Sequence, residues 1–357
     1  MTHAPHLTIY AGKSTDVGQY RDNNEDSMIV AGNLCVVADG MGGHEKGEVA
    51  SRLCTRTLAY AQMFTLPGGM TEEEATFQQE LASETQSDEG QTRRFRKRRK
   101  ETSALNRQIL RTLDKIKNII GQADETIKAA LDLRAGTTVT GAWLTHIGNQ
   151  PMWFIFNVGD SRTYRLARSE EIHPEEALSV SNGPVEGLEL EQITVDHSEV
   201  QYLVDTGQIT ALEALTHPRR NVITRALGTG NYWEPDFWVI PAREGDRLMM
   251  CSDGLSGELS HNYMARVLAT VEHPQDAADV LQMAALRAGG RDNITVIVAD
   301  AITVEESEAR EAELKALTET DAHQIVAHID GYDYTHTTTT EEEQFHSEKE
   351  LHRGING

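Results

Sequence analysis

Five short blocks of the sequence set a carboxylate beside a glycine or another turn former. They are Arg21-Asp-Asn-Asn-Glu25-Asp26, Asp39-Gly40-Met-Gly-Gly-His44, Gly159-Asp160-Ser161-Arg162, Ser252-Asp253-Gly254 and Arg291-Asp292-Asn293. Any one of them alone reads most simply as a turn. Together they imply a different chemistry. Carboxylates gathered in one folded site repel one another unless they are protonated or bridged by cations. Their hard oxygens, with water completing the shell, suit magnesium or manganese. Two such ions a few Å apart can share a hydroxide and clamp the oxygens of a phosphate during in-line displacement. Thiol chemistry has no comparable support. Cys35, Cys54 and Cys251 are too scattered for a disulfide framework or a thiolate zinc site, none has an arginine six residues downstream, and each reads as apolar filler.

The elements that must carry these blocks can be read from periodicity. In four of the five blocks an apolar strand runs directly into or out of the carboxylate. Strands are expected over residues 6–10, 27–30 and 34–38, then over Thr137–Leu144, Met152–Val158 and Thr163–Leu166, and again near Phe237–Ile240, Asp246–Cys251 and Ile294–Ala299. Helices are expected over Glu45–Phe64, over a stripe formed by Leu105, Ile109, Leu113, Ile116 and Ile120, and around Tyr263–Thr270 and Gln275–Ala288. Strands toward both ends with helices between them predict an α+β domain in which helices pack on sheets.

The chain has 357 residues, 39% hydrophobic and 25% charged, enough to bury a full core. It has no apolar run near the roughly 20 residues that span a bilayer, and its start lacks the basic-then-apolar pattern of a signal peptide. The expectation is a cytoplasmic protein with no membrane partner. A formal net charge of −23 argues against nucleic acid as a partner and favours enrichment of divalent cations.

Eight blocks in fixed order carry a resemblance. They are Arg21–Asp26, Asp39–His44, Gly136–Thr138, Gly159–Arg162, Asp196–Ser198, Thr224–Gly228, Ser252–Leu255 and Asp292–Val296. Together they closely resemble the bacterial PPM-type (type 2C-like), metal-dependent serine/threonine protein phosphatases over residues 7–302. That resemblance implies a sandwich of two antiparallel β-sheets flanked by α-helices, in αββα layers, with a metal cleft at one end. It implies two core Mn2+ or Mg2+ ions. Asp39 would bridge them, the Gly40 carbonyl would complete one shell, Asp253 and Asp292 would hold the first, and Glu25, supported by Asp26, would act on the second. Asp160 with Asp253 would hold a third, weaker ion. Arg21 would grip the substrate phosphate with a guanidinium fork that fits two oxygens. The implied activity is hydrolysis of phosphoserine and phosphothreonine in proteins by a metal-bridging hydroxide, without a phospho-enzyme. It implies a phosphorylated protein as substrate and a cognate serine/threonine kinase in the same pathway. Where some members place a histidine after the Asp-Gly this chain has Met41. His44 is then a candidate general acid, and a metal-bound water is the alternative donor.

Several segments lengthen the family pattern within a domain expected to span residues 1–302. Residues 65–92 carry seven acidic and no basic side chains, and Arg93–Lys100 follows with seven positive charges in eight residues. That basic run reads as a solvated helix face or as a docking surface for an acidic or phosphorylated partner. Residues 168–188 read as a loop insertion, and 303–357 as an acidic, largely disordered tail whose first part, to about Leu317, suits a charged helix. The Thr337–Thr340 run beside Glu341–Glu343 is a candidate phosphorylation site within that tail. Residues 195–210 and 217–225 resemble the flap beside the family's active site, with His197, His217 and Arg225 as structural contacts. Two other functions compete: a pseudophosphatase scaffold, which would have lost metal ligands that are intact here, and a phosphatase of a small phosphorylated molecule.

Overall fold

In the computed structural model of the protein, residues 6–42, 46–65, 91–168 and 188–314 are described. Two antiparallel sheets lie face to face. In the first, β1 (Leu7–Asp16), β11 (Ile294–Thr303), β10 (Arg247–Cys251), β7 (Arg162–Arg168) and β8 (Leu188–Gln192) stand side by side in that order. In the second the order is β2 (Asp26–Ala31), β3 (Leu34–Gly42), β5 (Val139–Ile147), β6 (Gln150–Val158) and β9 (Asp236–Pro241), with the short β4 (Ala135–Thr137) pairing with the end of β3. Helices α1 (Lys46–Thr65) and α2 (Gln91–Leu131) cover the second sheet; α6 (His261–Thr270) and α7 (Pro274–Ala288) cover the first. The layers are αββα, as the resemblance implies.

Period-two alternation builds these layers, because successive strand residues face opposite sides of a sheet. Cys35 and Val37 of β3, Trp153 and Ile155 of β6, Leu248 and Met250 of β10, and Ile297 and Ala299 of β11 meet between the sheets. Their neighbours Val36, Phe154, Met249 and Val298 face the helices instead. Local chemistry ends the helices on time. The Ser260 side chain accepts from the Tyr263 N–H to start α6, and Pro274 opens α7, which stops at Gly289.

Several elements differ from the sequence expectation, β8 among them. The strand expected over Thr137–Leu144 is broken at Thr138, where the chain passes from pairing with β3 as β4 to pairing with β3 and β6 as β5. Helix α2 begins at Gln91, well before its apolar stripe, and takes in the basic run 93–100, as the helix reading of that run has it; arginine and lysine sustain a helix without adding to the stripe. The flap carries two short helices, α3 (Glu199–Asp205) and α4 (Ala211–Thr216), each opened by a side-chain cap, Ser198 and Thr210. Beyond β11, α8 (Val304–Leu314) realises the charged helix expected at the start of the tail. Among the described residues no helix is long and apolar enough to cross a membrane.

Strand register decides where the five blocks go. Asp26 pairs with Asp39, Val139 with Val158, Cys251 with both Arg162 and Val296, and Asp16 with Ile294. All five blocks therefore sit at one end of the sandwich, divided between the two sheets.

Candidate metal centre

Asp39 lies where β3 exchanges one partner for another: residues 34–37 pair with β5, and 40–42 with β4. Its backbone is fixed at that point by the Gly-Thr-Thr block. The Asp39 N–H donates to Thr138 Oγ1 (3.0 Å), and its carbonyl accepts from Thr138 N and Thr137 Oγ1, both at 2.9 Å. Gly40 is required by close approach, since a Cβ there would stand 2.2 Å from the Gly47 carbonyl oxygen and 2.5 Å from that of Glu25. The start of α1 is thereby pressed against the Glu25 loop, and Gly40 N donates to the Glu25 carbonyl at 3.1 Å.

The first sheet delivers the opposing groups. Asp253 follows β10 directly and opens the single turn α5 (Asp253–Ser256). Gly254 packs so tightly on the Asp292–Asn293 turn that a Cβ would meet the Asn293 carbonyl oxygen at 2.0 Å. Asp292 accepts from Arg21 Nη2 at 2.7 Å and from the Asn293 N–H at 2.8 Å. Asp26 accepts from Ser252 Oγ at 2.7 Å through one oxygen, while its other oxygen is buried without a hydrogen-bond partner. Asp160 projects from the β6–β7 turn. The neighbouring Arg162 forks onto Asp196 rather than Asp160, with Nε–Oδ1 at 2.9 Å and Nη2–Oδ2 at 2.7 Å.

The electrostatics follow from that crowding. Burial, reinforced by Asp26, Asp253, Asp160 and Asp292, pushes the Asp39 carboxyl well above the usual carboxylate range. Burial raises Asp160 likewise, with Asp253 and Asp196 adding to it. Asp253 is raised by burial and by Asp292, against a hydrogen bond shared with Asp39. Asp26 is pushed up to about 7, chiefly by burial, despite its bond from Ser252. Glu25 is raised by burial, with Arg21 opposing. The nearby cations, Arg21 and Arg162, make their side-chain bonds to Asp292 and Asp196.

This donor set fits hard divalent cations. It supplies acceptor-only oxygens, an orphaned carboxylate oxygen on Asp26 and mutual repulsion that a dication would relieve. Among the described residues no three Asp, Glu, His or Cys side chains form a ready-made cage around one point; Arg21 draws Asp292 to itself. Magnesium-like ions do not need such a cage, because they keep several waters and bind through one or two carboxylates plus substrate phosphate.

The candidates Arg21, Glu25, Asp26, Asp39, Gly40, Asp160, Asp253 and Asp292 thus share one end of the fold, whereas His44 lies outside the described residues. His197 is a structural contact, as expected for the flap. Its Nδ1 accepts from Gly159 N–H (3.1 Å) and its Nε2 lies 3.0 Å from Asp236. Arg225 donates to that same Asp236 at 2.7 Å, and His217 accepts from the Arg219 N–H. Sequence reasoning assigned no role to Ser252, Asp236 or Asn293. Ser252 and Asn293 stood inside quoted blocks and so carried a signal; Asp236 carried none.

The family described as protein phosphatase 2C matches residues 21–288. The chain is 34% identical to the serine/threonine protein phosphatase PstP of Mycobacterium tuberculosis over 82% of its own length and 45% of that protein, so the match spans less than half of that relative. It is 31% identical to the serine/threonine phosphatase stp of Listeria welshimeri over 82% of this chain and 96% of that one. Among solved structures, the catalytic domain of PstP in complex with two manganese ions superposes with a TM-score of 0.60. That match has 30% identity and covers 83% of this chain and 100% of that one.

Proposed function

The chain belongs to the protein phosphatase 2C family, whose matched relatives are serine/threonine phosphatases, and from that premise we propose that it removes phosphate from serine and threonine side chains of proteins with the help of two manganese or magnesium ions. The observation that carries this reading is the gathering of Asp26, Asp39, Asp160 and Asp253 at one end of the sandwich, each with its carboxyl raised by burial. In this reading Asp39 would serve both ions and the Gly40 carbonyl would be a further ligand. Asp253 and Asp292 would hold the first ion, Glu25 supported by Asp26 would serve the second, and Asp160 with Asp253 would hold a third, weaker one. When bound, the ions supply an activated water and offset charge on the phosphate oxygens.

The protein's own groups do the rest. Arg21, half exposed at the mouth and oriented by its bond to Asp292, offers a planar fork to two phosphate oxygens. No covalent intermediate is required, and the buried cysteines are poor nucleophiles: burial pushes the thiols of Cys35 and Cys251 up to about 12. Residues 1–302 form the catalytic unit in this reading, with 303–357 as an acidic extension. The reaction that supplies the substrate is phosphoryl transfer by a protein serine/threonine kinase, and the setting is the cytoplasm.

The test is hydrolysis of a phosphothreonine peptide with manganese, with magnesium and with chelator, by the wild type and by Asp39→Asn. The expected result is metal-dependent release that falls by at least about a hundredfold in the variant, the upper range for disturbing a metal's ligand environment. Release that persists in chelator, or none with either metal from folded protein, would refute the reading.

A further inference from the structure

The proposed ligands come from two different sheets: Glu25, Asp26, Asp39 and Gly40 from the second, Asp253 and Asp292 from the first. Apolar side chains hold the sheets together across most of their faces. At the cleft end that apolar contact gives way to carboxylates, and something else must fix the offset between the sheets.

Among the side chains that cross there are Ser252, whose Oγ donates to Asp26, and Asn293. Asn293, 5% exposed, immediately precedes β11. Its amide oxygen accepts from the Glu25 N–H at 2.8 Å. Its amide nitrogen donates to the carbonyls of Val17 (2.8 Å) and Asn23 (2.9 Å). Both amide N–H donors are used, and the amide oxygen carries one of the two bonds it can accept. The backbone of the same residue is equally committed: its N–H donates to Asp292 Oδ1, and its carbonyl packs against Gly254, beside Asp253. Glu25 in turn accepts from Gly40 N and Ser51 Oγ through its own carbonyl. Asn293 is therefore the joint at which the Asp253 turn, the Asp292 turn and the Glu25–Gly40 pair are tied.

We infer that Asn293 is a positioning residue that locks the ligands of the two sheets into one unit and so sets the spacing of the two bound ions. This inference rests on the metal-dependent phosphatase reading. A rigid set of second partners is what gives metal ligands their geometry, and losing one costs about 10- to 100-fold in affinity or activity.

The experiment compares the wild type with Asn293→Ala, and with Asn293→Ser should the alanine form not fold. Manganese binding is measured by calorimetry, and the magnetic coupling of the paired ions by electron paramagnetic resonance. Val298→Ala, a core truncation in mid-strand β11 facing the helices, is the control for lost stability. The expected result is manganese affinity lower by about 10- to 100-fold and weakened coupling in the Asn293 variant, with both unchanged in the control. Wild-type affinity and coupling in Asn293→Ala, or equal losses in Val298→Ala, would overturn the inference; so would failure of both Asn293 variants to fold, which would assign the residue to global stability. A wild type that takes up no manganese pair and leaves the phosphothreonine peptide intact would sink the phosphatase reading itself.

Discussion

At the end of the sandwich away from the cleft, Asp246 and Asp300 are each met by arginine; at the cleft end Asp26, Asp39, Asp160 and Asp253 face mainly one another. Asp300 is gripped by Arg247 through two bonds of 2.6 and 2.8 Å, and Asp246 accepts from Arg165, from the Trp153 indole and from the Arg243 N–H. Both sites bury carboxylates between or beside the same two sheets. The first set is complete within the chain; the second is electrostatically unfinished. A buried charge without a partner is costly, so a fold retains such a cluster where something outside the polypeptide completes it.

The largest expected effect comes from breaking the finished end. Asp300→Asn should lower stability in urea by about 3 kcal/mol, the lower limit for opening a buried pair because the amide oxygen still accepts. Catalytic turnover per folded molecule should be unchanged, since the site lies at the other end of β11. A loss of metal-dependent turnover in folded Asp300→Asn would show that the two ends are not separable.

Arg21→Lys probes the unfinished end from the substrate side. A lysine keeps the charge but loses the fork, so kcat/KM should fall by about 10- to 100-fold, the equivalent of one charged hydrogen bond, with manganese affinity retained. An unchanged kcat/KM would remove Arg21 from phosphate binding.

Asp39→Asn tests the contrast by its sign. In chelator the variant should be more stable than the wild type by about 1–3 kcal/mol, the Coulomb energy of like charges several Å apart at an effective dielectric of about 20. With manganese the order should reverse. Destabilisation in chelator comparable to that of Asp300→Asn would mean that the cleft carboxylates are internally satisfied after all.

Legibility in the sequence follows the range of the interaction. Strands such as β6 and β11 were readable because their apolar residues are consecutive or alternating, and the pattern is local. The proposed metal ligands stand out because each lies beside a glycine, a serine or an asparagine that its turn requires. The start of α2 was readable only in part: the basic run suits a helix face, but arginine and lysine are good helix formers that leave no apolar stripe to mark where the helix begins. Strand β8 was hidden beside the acidic insertion, although its Leu-Glu-Leu-Glu pattern alternates. Partners that meet only through the fold, such as Arg291 with buried Glu258 or Arg247 with Asp300, leave no trace in spacing. Asn293 falls between these cases, visible as part of a block but with bonds to residues more than 260 positions away.

The smallest expected effect lies on the border between the two regions, at His197. Its Nδ1 accepts from the Gly159 N–H, so the proton of the neutral ring sits on Nε2 and is donated to Asp236. Burial lowers the pKa of this histidine below its usual 6.5, against the pull of Asp236. Protonation would place a hydrogen on Nδ1 facing the Gly159 N–H, and that bond must break. The folded state therefore binds fewer protons here than the unfolded chain. The stabilisation is fully present above about pH 6.5 and is lost as the pH falls through the lower folded value. Wild-type stability should drop by about 0.5–1.5 kcal/mol, one hydrogen bond, in excess of His197→Gln as the pH is taken from 7.5 to 5. The glutamine can still accept from Gly159 and donate to Asp236 without titrating. Because Gly159 leads directly into Asp160, the loss should be accompanied by faster amide exchange in the 159–162 turn of the wild type alone. Parallel pH profiles for the two proteins would mean that His197 is held by its packing and that neither hydrogen bond sets the position of that turn.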